Sequence, residues 1–92
     1  MQQQKPMKIW YLIKKKQKVV SDRLYIGQFE DALGEGLTEV CQELDLERPV
    51  ILLKHERELA QFNRAVFHKR DFIGDFQYDA LEVECVAEKE KD

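Results

Sequence analysis

Serine and threonine are almost missing from this 92-residue chain, with Ser21 and Thr38 standing alone. Neither lies in a Gly-x-Ser-x-Gly setting, so acyl transfer by a serine nucleophile has no candidate. Cysteine is equally scarce. Cys41 and Cys85 are too few for a disulfide framework, which fits a reducing compartment. No Cys-x-x-Cys or His-x-x-x-His spacing joins them to His55 or His68, so a structural zinc site is not expected. The reading is two core thiols and two surface imidazoles. Acidic neighbours (Glu39 and Glu43 near Cys41, Glu84 near Cys85) would push either thiol away from nucleophilic behaviour.

Glycine occurs four times and proline twice, too rarely for a linker-rich or low-complexity chain. No Gly-rich phosphate loop and no GxGxxG is present. Long apolar runs are missing as well. Ile9–Ile13 is too short for a signal peptide core or for the roughly 20 residues of a membrane helix, so a cytoplasmic location without membrane contact is expected. A chain of 11.0 kDa has little room for a ligand pocket, and no small-molecule substrate, cofactor or metal is expected. A non-enzymatic role follows.

Charge is what the chain has in abundance. Charged residues make up 36% of it, with a net charge of −3 and a mean hydropathy of −0.56. The charge comes in four blocks of alternating sign: +6 over residues 1–20, −7 over 21–47, +3 over 48–73 and −5 over 74–92. Such blocks either neutralise one another within the fold or steer a partner.

The patterning predicts a single α+β domain over 7–86, preceded by a flexible arm (1–6) and followed by a charged tail (87–92). Met7–Ile13 and Val19–Ile26 are rich in β-branched and aromatic residues and read as an antiparallel hairpin, although no Asn-Gly marks its turn. Phe29–Leu44 carries apolar residues at helical steps and an acidic row, Asp31, Glu35, Glu39 and Glu43. Gly34 and Gly36 weaken its first half, so the helix either starts late or approaches the sheet closely there. Val50–Leu53 reads as a short buried strand, and His55–Arg64 as a second helix with Leu59, Phe62 and Val66 on one face. Tyr78–Val86 alternates as a half-buried strand. The order β-β-α-β-α-β gives a two- or three-layer domain with a mostly antiparallel four-stranded sheet. The alternative is a single-helix β-grasp-like arrangement, in which 65–73 pairs as a further strand.

Two functional readings follow. The hairpin has apolar residues on both faces, where a sheet with one wet face should alternate. Trp10, Leu12, Val19 and Tyr25 then need a cover: the second helix, another protein, or a second copy in a homodimer. The other reading is phosphate-backbone binding of nucleic acid through Lys14, Lys15, Lys16 and Lys18, aided by Arg64, Lys69 and Arg70. Lysines at a hairpin tip also protect sheet edges, and the cluster holds no arginine. The acidic row reads as the solvated face of an amphipathic helix, with a docking face for a basic partner as the alternative.

Overall fold

The computed structural model describes residues 7–86; the arm 1–6 and the tail 87–92 lie outside the described residues. Four strands form one antiparallel sheet: β1 (Met7–Lys15), β2 (Lys18–Gly27), β3 (Arg64–His68) and β4 (Ala80–Val86), in the spatial order β2-β1-β4-β3. Two helices, α1 (Glu35–Glu43) and α2 (Leu53–Phe62), lie between β2 and β3 in the chain. The four-stranded antiparallel sheet with two helices is the expected fold class. The third strand is not where the patterning put it. Val50–Leu52 is irregular and partly exposed, Leu53 opens α2, and the strand follows the helix at Arg64–His68. A four-residue apolar run carries no periodicity that separates a strand from a helix start.

β1 sits at the centre of the sheet because its β-branched and aromatic residues suit a strand flanked on both sides. Ile9, Tyr11 and Ile13 point to one face, with Leu81, Val83 and Cys85 of β4 and Ala65 and Phe67 of β3 alongside. Both helices pack on this face. α1 contributes Leu37, Val40 and Cys41, α2 contributes Leu59, and Phe72 and Phe76 stack at 3.8 Å beside them. The domain therefore has two layers.

α1 is shorter than the apolar pattern, and both expected consequences of the glycines occur. Phe29–Asp31 forms a separate 3-10 turn, and the helix starts only at Glu35. Gly36 lies where a Cβ atom would come within 2.5 Å of Tyr11 Oη. That oxygen donates a buried hydrogen bond of 2.7 Å to the Ala32 carbonyl, tying the sheet to the entry of α1.

α2 ends at Asn63, whose backbone is left-handed (φ 58°) and whose N–H donates to Leu59 O. This cap turns the chain straight into β3. Phe62 and Val66, expected with Leu59 on one helical face, are thereby separated: Leu59 is buried, Phe62 is 66% exposed and Val66 belongs to the strand. His55, expected at the surface, is fully buried in the first turn of α2. Its ring lies 4.2 Å from that of Phe67, Nδ1 accepts the Leu52 N–H at 3.0 Å, and Nε2 lies 3.5 Å from Asp71 Oδ2.

The β1–β2 connection is a two-residue turn with Lys16 (φ 53°) and Gln17 (φ 67°) both left-handed, the type I′ geometry of tight hairpins. Asp79 supports it, Oδ2 accepting the Lys16 N–H at 2.6 Å.

Candidate functional site

The face of the sheet opposite the helices is built by the alternate residues of each strand. β1 contributes Lys8, Trp10, Leu12 and Lys14, and the register sets Ile26, Leu24, Asp22 and Val19 of β2 against them. On the other side stand Val86, Glu84, Glu82 and Ala80 of β4, followed by Arg64, Val66 and His68 of β3. Among the described residues no helix covers this face. Trp10, Leu12 and Val66 are half-buried by their neighbours, while Leu24, Val86 and Val19 are open and Ile26 is 60% exposed.

Trp10, Leu12 and Val19 thus share an uncovered face, as the pattern predicts, and α2 does not supply the cover. Tyr25 does not belong to the set. It stands opposite Ile9 on the helix side, beside Gly36, with its hydroxyl 3.4 Å from Glu35. The cause is a β-bulge. The tight turn pairs Lys15 with Lys18 and Lys14 with Val19, and continued unbroken it would bring Tyr25 to the Trp10 face. The register instead slips between Ile13 and Lys14, leaving Val20 as the extra residue, so that Ile13 pairs with Ser21 and Trp10 with Leu24. A slip of one residue exchanges the faces of everything beyond it. It aims Arg23 and Tyr25 at the acidic row of α1, where Arg23 Nε donates to Glu43 Oε1 at 2.7 Å. It also turns Leu24 and Ile26 outward, two members of the open face that the hairpin pattern alone does not find.

The charged residues of this face are equal in number for the two signs. Lys8, Lys14 and Arg64 balance Asp22, Glu82 and Glu84. Glu82 is only 7% exposed, with Oε2 at 3.3 Å from Lys14 Nζ and 3.7 Å from Arg64 Nη2. Covering the face leaves this carboxylate with both of its cationic partners.

The basic residues divide between two places. Lys15, Lys16 and Lys18 are exposed at the hairpin tip, with Lys14 just behind them. Lys14 and His68 both flank Ala80, so Lys69 and Arg70, in the 3-10 turn Lys69–Asp71 after β3, reach the same end of the sheet. Arg64 lies at the other end of β3 and is engaged with Glu82.

The remaining titratable groups are tied to the fold. Burial pushes both thiols up to about 11, Cys41 against a smaller downward pull from Arg48; burial, not the acidic neighbours, is the cause. Among the described residues no three histidine, cysteine or acidic side chains stand close enough to hold a metal ion, and no helix is long and apolar enough to cross a membrane. Comparison with known proteins returns no significant match to this chain from family models, curated proteins or solved structures.

Proposed function

We propose that the protein is a non-enzymatic, cytoplasmic protein-interaction module that uses the helix-free face of its sheet, and that the surface it meets is a second copy of the same face. The observation that carries this reading is the uncovered group of Trp10, Leu12, Leu24, Ile26, Val66 and Val86 on a face whose charges cancel. Tryptophan is among the residue types that most often anchor interfaces. A two-fold interface must be complementary to itself, and a face with three cations and three anions in alternation meets that condition where a face of one sign does not.

Magnitude sets the expected strength. Four strands about 4.8 Å apart and about seven residues deep give a projected face of roughly 450 Å². A stable interface uses about 800 Å² per partner, so association is reversible and depends on concentration. Trp10 is the only tryptophan, so its emission reports on this face without a label. Rising protein concentration should shift the emission to the blue while light scattering shows the mass moving from 11.0 kDa toward twice that value. Leu24→Lys, at an exposed position, should abolish both changes and leave the far-ultraviolet circular dichroism intact. A chain that stays monomeric at millimolar concentration with unmoved emission would refute self-association.

One observation favours a second reading, phosphate binding at the basic end of the sheet. The fold brings Lys69 and Arg70 to the end that carries Lys14, Lys15, Lys16 and Lys18. It predicts binding to a single-stranded oligonucleotide that falls steeply with salt and is lost when the tip lysines become serine.

A further inference from the structure

Beyond the open face, the outer edge of β3 has a construction of its own. β3 pairs with β4 alone, so among the described residues no strand bonds to its other edge. Cys85 N donates to Asn63 O at 2.8 Å, which fixes the phase of the ladder. In an antiparallel pair the bonded positions alternate. Ala65 and Phe67 therefore direct their backbone groups to β4, while those of Arg64, Val66 and His68 turn to the free edge. His68 N is taken by Asp71 Oδ2 at 2.9 Å. Arg64 and Val66 keep outward N–H and C=O groups.

A groove of about 430 Å³ runs along this edge. One wall is Glu58 and Phe62, one turn apart on α2, and the other is Arg64, Val66 and His68. Because α2 lies on the helix side and the three strand residues face the opposite side, the groove wraps around the edge of β3. Phe62, 66% exposed, is the apolar wall. Fixed positive charge lies at one end of the strand, on Lys69 and Arg70; Arg64 at the other end is shared with Glu82, and Glu58 stands on the helix wall.

We infer that the β3 edge and its α2 wall form a binding groove for an extended acidic peptide, which adds to the sheet as a fifth strand. Only an extended chain meets the outward N–H and C=O groups of Arg64 and Val66, and a groove between an edge strand and a helix is the arrangement that strand addition uses. The alternation of an added strand assigns its side chains. The one at the His68 end, next to Lys69 and Arg70, is acidic, the one beside Val66 is aliphatic, and those turned to α2 are apolar and rest on Phe62. A second copy is a poor occupant here. Antiparallel pairing of two β3 strands about Val66 sets Arg64 of one copy against His68 of the other, with Lys69 next in the chain, so no acid meets the Arg64 guanidinium across the seam.

The test uses a fluorescein-labelled peptide, Glu-Leu-Val-Leu-Glu, titrated with the full chain. Anisotropy should rise to saturation, and the amides of Arg64 and Val66 should gain protection from hydrogen exchange. Val66→Pro removes one outward N–H at a position where an edge strand tolerates proline, and should weaken binding by at least about tenfold. Phe62→Ser, at a site 66% exposed and without a change of charge, should weaken it by a similar factor and decides the matter if the proline variant does not fold. A peptide with lysine in place of glutamate should not bind. Absence of saturable binding, equal binding of the lysine peptide, affinity unchanged in Phe62→Ser, or protection appearing on β2 instead would each overturn the inference. The readouts are independent of Trp10 emission and of molar mass, so this groove and the open face can fail separately.

Discussion

The contact between Gly36 and Tyr11 gives the most exacting test of how the helix layer is fixed to the sheet. A Cβ at Gly36 would stand 2.5 Å from Tyr11 Oη, 3.0 Å from Tyr25 Cδ2 and 3.1 Å from the Asp31 carbonyl. Tyr11 is fully buried and its hydroxyl is committed to Ala32 O at 2.7 Å, so it cannot swing aside. Overpacking of this kind costs about 1–3 kcal/mol, partly offset by a gain of up to ~1 kcal/mol from replacing glycine in a helix. Gly36→Ala should therefore lose about 1–2 kcal/mol, or about 4–8 °C in Tm for each kcal/mol in a domain of this size. Tyr11→Phe should cost about 1–3 kcal/mol on its own, because it leaves the Ala32 carbonyl buried without its donor. It also removes the atom that the new methyl meets first. In the Tyr11→Phe background Gly36→Ala should accordingly cost about 1 kcal/mol less than it does in the native chain. Urea unfolding followed by Trp10 emission measures all four corners of this cycle, and Trp10 points to the opposite face, away from both substitutions. If the two effects add to within about 0.5 kcal/mol, the close approach does not limit the packing and the reasoning fails.

Two further predictions concern the turn and the buried acid. Gln17 holds a left-handed backbone (φ 67°) that costs an ordinary residue about 1–2 kcal/mol, so Gln17→Gly should raise stability by about 0.5–1 kcal/mol after the entropy of the freer unfolded chain is subtracted; a lower urea midpoint would contradict the turn assignment. Burial pushes the Asp71 carboxyl up, but the His68 N–H and the charges of His55 and Lys54 outweigh it and hold it below the usual range. A depressed carboxyl contributes stability that is fully present above the unfolded value of about 3.9 and is lost as pH falls through the folded value. The urea midpoint should fall in that acid window, and less steeply in Asp71→Asn; equal slopes would remove Asp71 from the acid response.

How far the sequence reaches depends on whether a feature is local. The antiparallel hairpin, α1 and the alternating β4 are each written in a continuous pattern and are found where that pattern lies. Gly34 and Gly36 also announce the late helix start and the close approach to Tyr11. The third strand enters only through the alternative with 65–73 as a strand, because Arg64–His68 is short and carries only Ala65, Val66 and Phe67 to mark it; Asn63, a residue type that accepts the left-handed cap, is the signal that could have ended α2 in time. His55 is buried for a tertiary reason, its ring lying against Phe67 of a strand that only the alternative arrangement, with 65–73 as a strand, offers. Tyr25 is assigned to the wrong face by one residue. A bulge leaves no local mark in Val19-Val20-Ser21, and the gain that selects it is the pairing of Arg23 and Tyr25 with α1, which no reading of β2 alone contains.

That bulge also bears on what the open face is for. Directing Arg23 and Tyr25 to α1 obliges positions 22, 24 and 26 to point the other way, but it does not oblige them to be apolar. Threonine or lysine would satisfy the same register and a wet face equally well. The chain has Leu24 and Ile26 there, beside Trp10 and Leu12, with Val66 and Val86 at the flanks. The cations on this face argue in the same direction. A surface that holds phosphate keeps its lysines and arginines available, whereas here Lys14 and Arg64 both lean on Glu82 at the centre of the sheet. Neutralising cations from within the face weakens its pull on a polyanion, and it lowers the cost of covering the face with another protein surface. On the proposed reading the face meets protein, and a phosphate ligand would have to use the sheet's end, where Lys15, Lys16 and Lys18 lie outside that network.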